Sequence, residues 1–120
     1  MSISPITKAI GKHGEWKQKL TNAIDNGAHD LSPEQIEPDN LCEFGRWLES
    51  LTLVEKKSEH FQKVKALHAT FHKEAAIIVR LVKCGKKREA TQCLDLKGSF
   101  TNASSQLTIA MMNWKKEFDK

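Results

Sequence analysis

The chain has 120 residues, 19 Lys plus Arg against 15 Asp plus Glu, five histidines, three cysteines and a formal net charge of +4. That length supports one hydrophobic core and not two, and no apolar run reaches the 18 residues that a membrane helix needs. The positive balance does not make a nucleic-acid footprint: Lys is interleaved with Glu and Asp, and no aromatic residues alternate with a basic run.

The N-terminal stretch MSISPITKAIGKHGEWK has neither a charged start followed by an apolar block nor a small-residue cleavage site, so a soluble, cytoplasmic protein is expected. Three cysteines, Cys42, Cys84 and Cys93, form no close pairing pattern, which fits a reducing compartment. Ser4-Pro5 reads as a helix start, Ser as N-cap and Pro at the first helical position. Ile6, Ala9, His13, Trp16, Leu20 and Ala23 then step by three and four, so His13 takes a core position on a helix that Asn26-Gly27 ends. Gly11 and Gly14 flank it; glycine costs a helix interior about 1 kcal/mol against alanine, so they either serve close approach of another element or merely weaken the helix.

Residues 28–38 carry turn chemistry. Ser32-Pro33-Glu34-Gln35 reads as a capping box opening one or two helical turns before Pro38, and His29 as a solvated loop residue. Asp39 is placed to cap the next helix, LCEFGRWLESL from Leu41. Cys42 falls in its first turn, where the helix dipole favours thiolate over thiol. Gly45 removes a side chain from the same face.

Thr52 and Glu55 can cap a long helix that meets no proline or glycine before Gly85, a rod of roughly 45 Å at 1.5 Å per residue. Its stripe is Phe61, Val64, His68, Phe71, Ala75, Ile78 and Val82. His68 is therefore interior, and His72, one turn on, points the same way: the i, i+4 arrangement by which one helix offers two nitrogens to one metal. His60 lies at the stripe's margin, as a boundary residue or one standing behind the ligands. The cations Lys83, Lys86, Lys87 and Arg88 around Gly85 suit a helix C-terminus. A last helix is predicted over 87–118, with Cys93, Phe100, Leu107 and Trp114 every seventh residue and Leu96, Ala103 and Ala110 between them, which makes Cys93 core. Cys84 is expected to be partly exposed, and Gly98 to loosen the outer face.

These elements predict an all-α fold over 1–120 as a single domain, an antiparallel four-helix bundle with a short extra helix carrying Cys42. His13, Cys42, His68 and His72 all fall at interior positions by separate local arguments. Three imidazoles and a thiolate are a tetrahedral zinc set; with every position filled by protein, the site reads as structural or sensory and not as an enzyme's.

The sequence resembles the chemoreceptor zinc-binding domain family, found in soluble bacterial chemoreceptors and at the N-terminus of some diguanylate cyclases. The resemblance is carried by His13 with Trp16 and Lys17, by Cys42-Glu43-Phe44-Gly45-Arg46-Trp47-Leu48, and by Leu67-His68 with Phe71-His72. It implies a helical bundle, usually a homodimer, holding one zinc ion through His13, Cys42, His68 and His72. In such proteins zinc, or oxidation of the ligand cysteine by hypochlorous acid, alters chemotaxis or cyclic-di-GMP output. Neither receptor signalling helices nor a cyclase domain occurs in the 120 residues, which leaves open a stand-alone sensor or a piece of a longer chain, with a signalling partner to match. Two other readings compete: a histidine phosphotransfer module, which needs an exposed histidine, and a metal-free structural bundle. A di-iron bundle lacks carboxylates on the stripe, since Glu59 and Glu74 fall off it.

Overall fold

A computed structural model describes residues 5–28 and 30–118, so the Ser4 cap and His29 lie outside the described residues. The elements are α1 (Pro5–Gly14), α2 (Trp16–Asn26), α3 (Pro33–Ile36), α4 (Glu43–Ser50), a 3-10 turn (Glu55–Lys57), α5 (Glu59–Lys83), α6 (Lys87–Leu94) and α7 (Ser99–Phe118). The chain is an all-α helical bundle, as the periodicity predicts. It measures 46 × 27 × 26 Å.

The first rod buries Ile6, Ala9, His13, Leu20 and Ala23 of the predicted stripe, with Trp16 half-buried at its edge. It is not one smooth helix. At Glu15 the N–H is shared between the carbonyls of Gly11 and Lys12, both at 3.3 Å, and α2 resumes through Lys19 N–H to Glu15 O. The glycines beside His13 do not admit another element, because a Cβ at Gly11 or Gly14 would meet nothing within 4 Å. Their effect is local weakening of the helix. Gly27, at φ 96°, ends the rod by donating to Ala23 O.

The segment to α4 makes one helical turn, α3. Ser32 does not cap it through its side chain; its hydroxyl bonds Glu34 instead. Asp39 is not the cap of α4 either: Cys42 is, its sulfur accepting from Gly45 N–H at 3.3 Å. The Thr52–Glu55 capping box forms in both directions, at 2.9 and 3.2 Å, yet it opens only the 3-10 turn. The long helix starts later, at Ser58, whose hydroxyl accepts from Phe61 N–H.

Helix α5 is the centre of the core. Phe61, Val64, His68, Phe71, Ala75, Ile78 and Val82 are all buried, joined by Ala76 and Val79. Full burial of such side chains contributes about 1.5–3 kcal/mol each. Gly85, at φ 77°, turns the chain, and the last rod runs back antiparallel along α5. That rod departs from the predicted continuous helix: it breaks over 95–98, where Gly98 N–H bonds Asp95 O and Thr101 Oγ1 bonds Leu94 O. A Cβ at Gly98 would lie 2.2 Å from Cys93 O, so only glycine fits this tight break. Extrapolating the heptad across the break misplaced two residues: Leu96 is 92% exposed, and Cys93 is half-buried at the core's margin. Beyond it Phe100, Ala103, Leu107, Ala110 and Trp114 are buried as predicted.

Candidate metal centre

His13 on α1, Cys42 at the head of α4, and His68 and His72 on α5 converge: one donor atom from each lies within 4.8 Å of every other. These are the four residues singled out from the sequence. The histidines are 6%, 0% and 4% exposed, and Cys42 is half-buried. His68 Nε2 is the hub, 3.1 Å from His13 Nε2, 3.0 Å from His72 Nε2 and 3.3 Å from Cys42 Sγ. Donors around one tetrahedral zinc, at 2.0–2.3 Å each, stand about 3.3 Å or more apart, so His68 Nε2 sits slightly closer to its neighbours than in a zinc set, while the set as a whole spans up to 4.8 Å.

The proton inventory tests whether the cluster fits a cation. His13 Nδ1 lies 2.8 Å from Ala9 O, and His72 Nδ1 lies 2.8 Å from Ile36 O. A carbonyl only accepts, so both Nδ1 atoms carry the proton and both Nε2 atoms are bare lone pairs. These lone pairs face each other's neighbourhood across His68 Nε2, which can offer one proton at most. A cation at their focus satisfies every donor at once, and neutral imidazole nitrogens with sulfur suit zinc better than magnesium or calcium.

Electrostatics hold the imidazoles in the ligating form. Burial lowers His13 to about 4, against a smaller opposing pull from the Ala9 carbonyl. Burial first, then repulsion from protonated His72 and His13, takes His68 down to about 2, and burial also lowers His72. At Cys42 the sequence expectation fails for the metal-free chain. The N–H groups of Gly45 and Phe44 do favour thiolate, but burial outweighs them and pushes the thiol up. Desolvation acts on the whole sulfur charge, whereas the first turn of an eight-residue helix offers only a few partial charges. A metal ion that took Cys42 as a ligand would displace that proton.

The surrounding residues explain the cysteine block. Phe44 and Phe71 pack against His13 with ring centroids 5.9 and 5.0 Å away, and Phe44 also meets His68 at 5.2 Å, covering the histidines while Cys42 stays half-buried. Trp47 stacks on Phe44 and contacts Trp114 of α7, which anchors α4 to the last rod. Gly45 is needed because a Cβ there would lie 1.7 Å from Asp39 O. His60 stands outside the cluster at 3.7 Å from Glu117, a boundary residue. Cys84 is exposed. A phosphotransfer histidine must reach solvent, which His13, His68 and His72 do not.

Three features of the site were not found from the sequence. The carbonyls of Ala9 and Ile36 that fix two tautomers are backbone atoms and leave no trace in residue type. The third is Asp39, read as a cap, whose carboxylate is 3.9 Å from His68 Nδ1; its place three residues before Cys42 was the available signal.

An all-α bundle with an interior three-histidine, one-cysteine cluster defines a helical metal-binding domain. The sequence matches the family model of the chemoreceptor zinc-binding domain over residues 13–79, more than half of the chain and the whole span from the first to the last candidate ligand, so the chain belongs to that family. It is a family of zinc-binding signalling domains. Comparison with curated proteins and with solved structures finds no match. Among the described residues no helix is long and apolar enough to cross a membrane.

Proposed function

We propose that this domain holds one zinc ion per chain through His13 Nε2, His68 Nε2, His72 Nε2 and Cys42 Sγ, and that zinc level, or oxidation of Cys42 by hypochlorous acid, sets its signalling state. The observation that carries this reading is the focus of three buried imidazole nitrogens and one sulfur, two of the imidazoles with their tautomer fixed to leave Nε2 bare. Zinc bound there would supply a cross-link between α1, α4 and α5. With all four positions filled by protein, no place is left for a reactive water, which supports regulation over catalysis.

The chain's own residues divide the labour. His68 and His72 belong to the most buried helix and hold their places with or without the link. Cys42 begins a helix of eight residues and is the reactive donor. Its thiolate sulfur gives two electrons to hypochlorous acid, takes up the oxygen as sulfenic acid and releases chloride, which removes its charge and its ligand character. Release of Cys42 then loosens α4, and the rearranged helices pass the change to chemoreceptor or cyclase machinery. The family resemblance supports a homodimer in the bacterial cytoplasm as the setting.

The test is metal analysis of wild type and Cys42→Ala purified without added metal. About one zinc per wild-type chain is expected, with affinity in the variant lowered by more than the 10–100-fold that loss of a merely supporting residue costs. Unchanged stoichiometry and affinity in Cys42→Ala would contradict the proposal.

A further inference from the structure

The three histidines of the cluster are not held alike. His13 and His72 each have Nδ1 tied to a backbone carbonyl, but His68, the hub, has no such partner. His68 Nδ1 is the buried side-chain polar atom left without a hydrogen bond among the described residues. The group facing it is the carboxylate of Asp39, with Oδ2 at 3.9 Å and a side chain 29% exposed. That gap is too long for a hydrogen bond, but no other carboxylate is paired with His68 among the described residues.

We propose that Asp39 is a positioning residue of the zinc site: its carboxylate accepts the Nδ1 proton of His68, fixes the tautomer that leaves Nε2 free for metal, and couples that tautomer to the segment bearing Cys42. The inference rests on the zinc reading above and concerns this chain's own atoms. Ligation through Nε2 requires the proton on Nδ1, and a buried N–H needs an acceptor. Carboxylates commonly fill that role behind metal-bound histidines. The backbone of Asp39 adds the second half of the argument. Its carbonyl accepts from Cys42 Sγ at 3.8 Å and occupies the space where Gly45 would otherwise carry a side chain. One residue thus touches the hub histidine through its side chain and the cysteine ligand through its main chain. When Cys42 moves, Asp39 moves with it, and His68 loses its acceptor.

The experiment compares wild type, Asp39→Ala and Asp39→Asn as the full chain, by zinc affinity in competition with a chelator and by 15N NMR of the His68 ring in metal-free and zinc-loaded protein. Asp39→Ala should lower zinc affinity 10–100-fold and reduce the share of the Nδ1–H tautomer of His68 in the metal-free chain below that of wild type. Asp39→Asn, whose amide oxygen still accepts, should recover most of both. Glu49→Gln, a change of equal charge at an exposed position on the same segment, should leave both alone. Wild-type affinity and an unchanged His68 tautomer in Asp39→Ala would overturn the inference; so would equal losses in the Ala and Asn variants with the tautomer unmoved, since Asp39 would then act by charge or loop shape. Failure of wild type to bind zinc would instead sink the metal reading, and the wild-type arm alone reports it. The tautomer is read without metal, so a variant that folds but fails to load still tests the role of Asp39.

Discussion

Two pieces of chain meet at the metal cluster, and they are built to opposite standards. Helix α5 is 25 residues long, is capped by Ser58, and buries ten side chains including His68 and His72. The segment from Asp39 to Ser50 contains one helix of eight residues, and its ligand Cys42 is half-buried. Helix α5 keeps its shape through packing along its whole length. The Cys42 segment is held to the bundle by fewer groups: the buried Leu48, Phe44 against the histidines, Trp47 on Trp114, and the exposed Lys8–Glu43 pair at 2.9 Å, which contributes about 0–1 kcal/mol. Local opening starts where buried contacts are few. Under the proposed function, a bond between two such pieces would make a switch: breaking it would free the short piece and leave the long one in place.

The largest effect should come from the fixed side. His68→Ala removes the hub and is expected to abolish stoichiometric zinc uptake, while the metal-free variant stays helical by circular dichroism because the rest of the α5 stripe remains. Next comes the segment's seating. Gly45→Ala sets a Cβ into the Asp39 backbone and should destabilise the fold by about 1–3 kcal/mol and weaken zinc binding, measured by thermal melting and chelator competition. Gly11→Ala, where nothing crowds the new methyl, should instead stabilise by about 0.5–1 kcal/mol and leave zinc unaffected. If both alanines behaved alike, the comparison between a packed and an open glycine would fail.

A smaller, graded effect should follow pH. In the metal-free chain His13, His68 and His72 all ionise below their usual 6.5, so the unfolded chain takes up protons first as pH falls. Stability is therefore full above about pH 6.5 and declines from there towards pH 4, where His13 begins to charge in the folded state. Zinc affinity falls over the same window because protons compete for the same nitrogens. Melting temperatures of metal-free protein between pH 4 and 7 check the sign; a rise on acidification would contradict it.

Much of this was legible in the sequence. His13, His68 and His72 stand out because each interrupts an apolar stripe of helical period, a signal that survives without knowledge of the fold. Cys42 stood out through position in a first turn and through its neighbours Gly45 and Trp47. What could not be read has physical reasons. The apolar period runs on through Glu15 and from Cys93 to Phe100, so periodicity gave no sign of either break; Leu96 was assigned to the core only by carrying the heptad across the second break. Capping is a local transaction, and the Thr52–Glu55 box forms faithfully without fixing how long a helix follows. Asp39 sits in a turn, where no period reveals which way a side chain points. The sulfur's preference for the thiol in metal-free protein depends on how deeply the short helix is buried, which is a property of the packed bundle.

The central claim, that zinc restrains the Cys42 segment and not α5, is tested most directly by amide hydrogen exchange resolved by peptide, with and without a chelator. Removing zinc should speed exchange in residues 43–50 about tenfold or more, with 59–83 unchanged, and Cys42→Ala should resemble the chelated wild type. Equal acceleration in α5, or no change in 43–50, would contradict it.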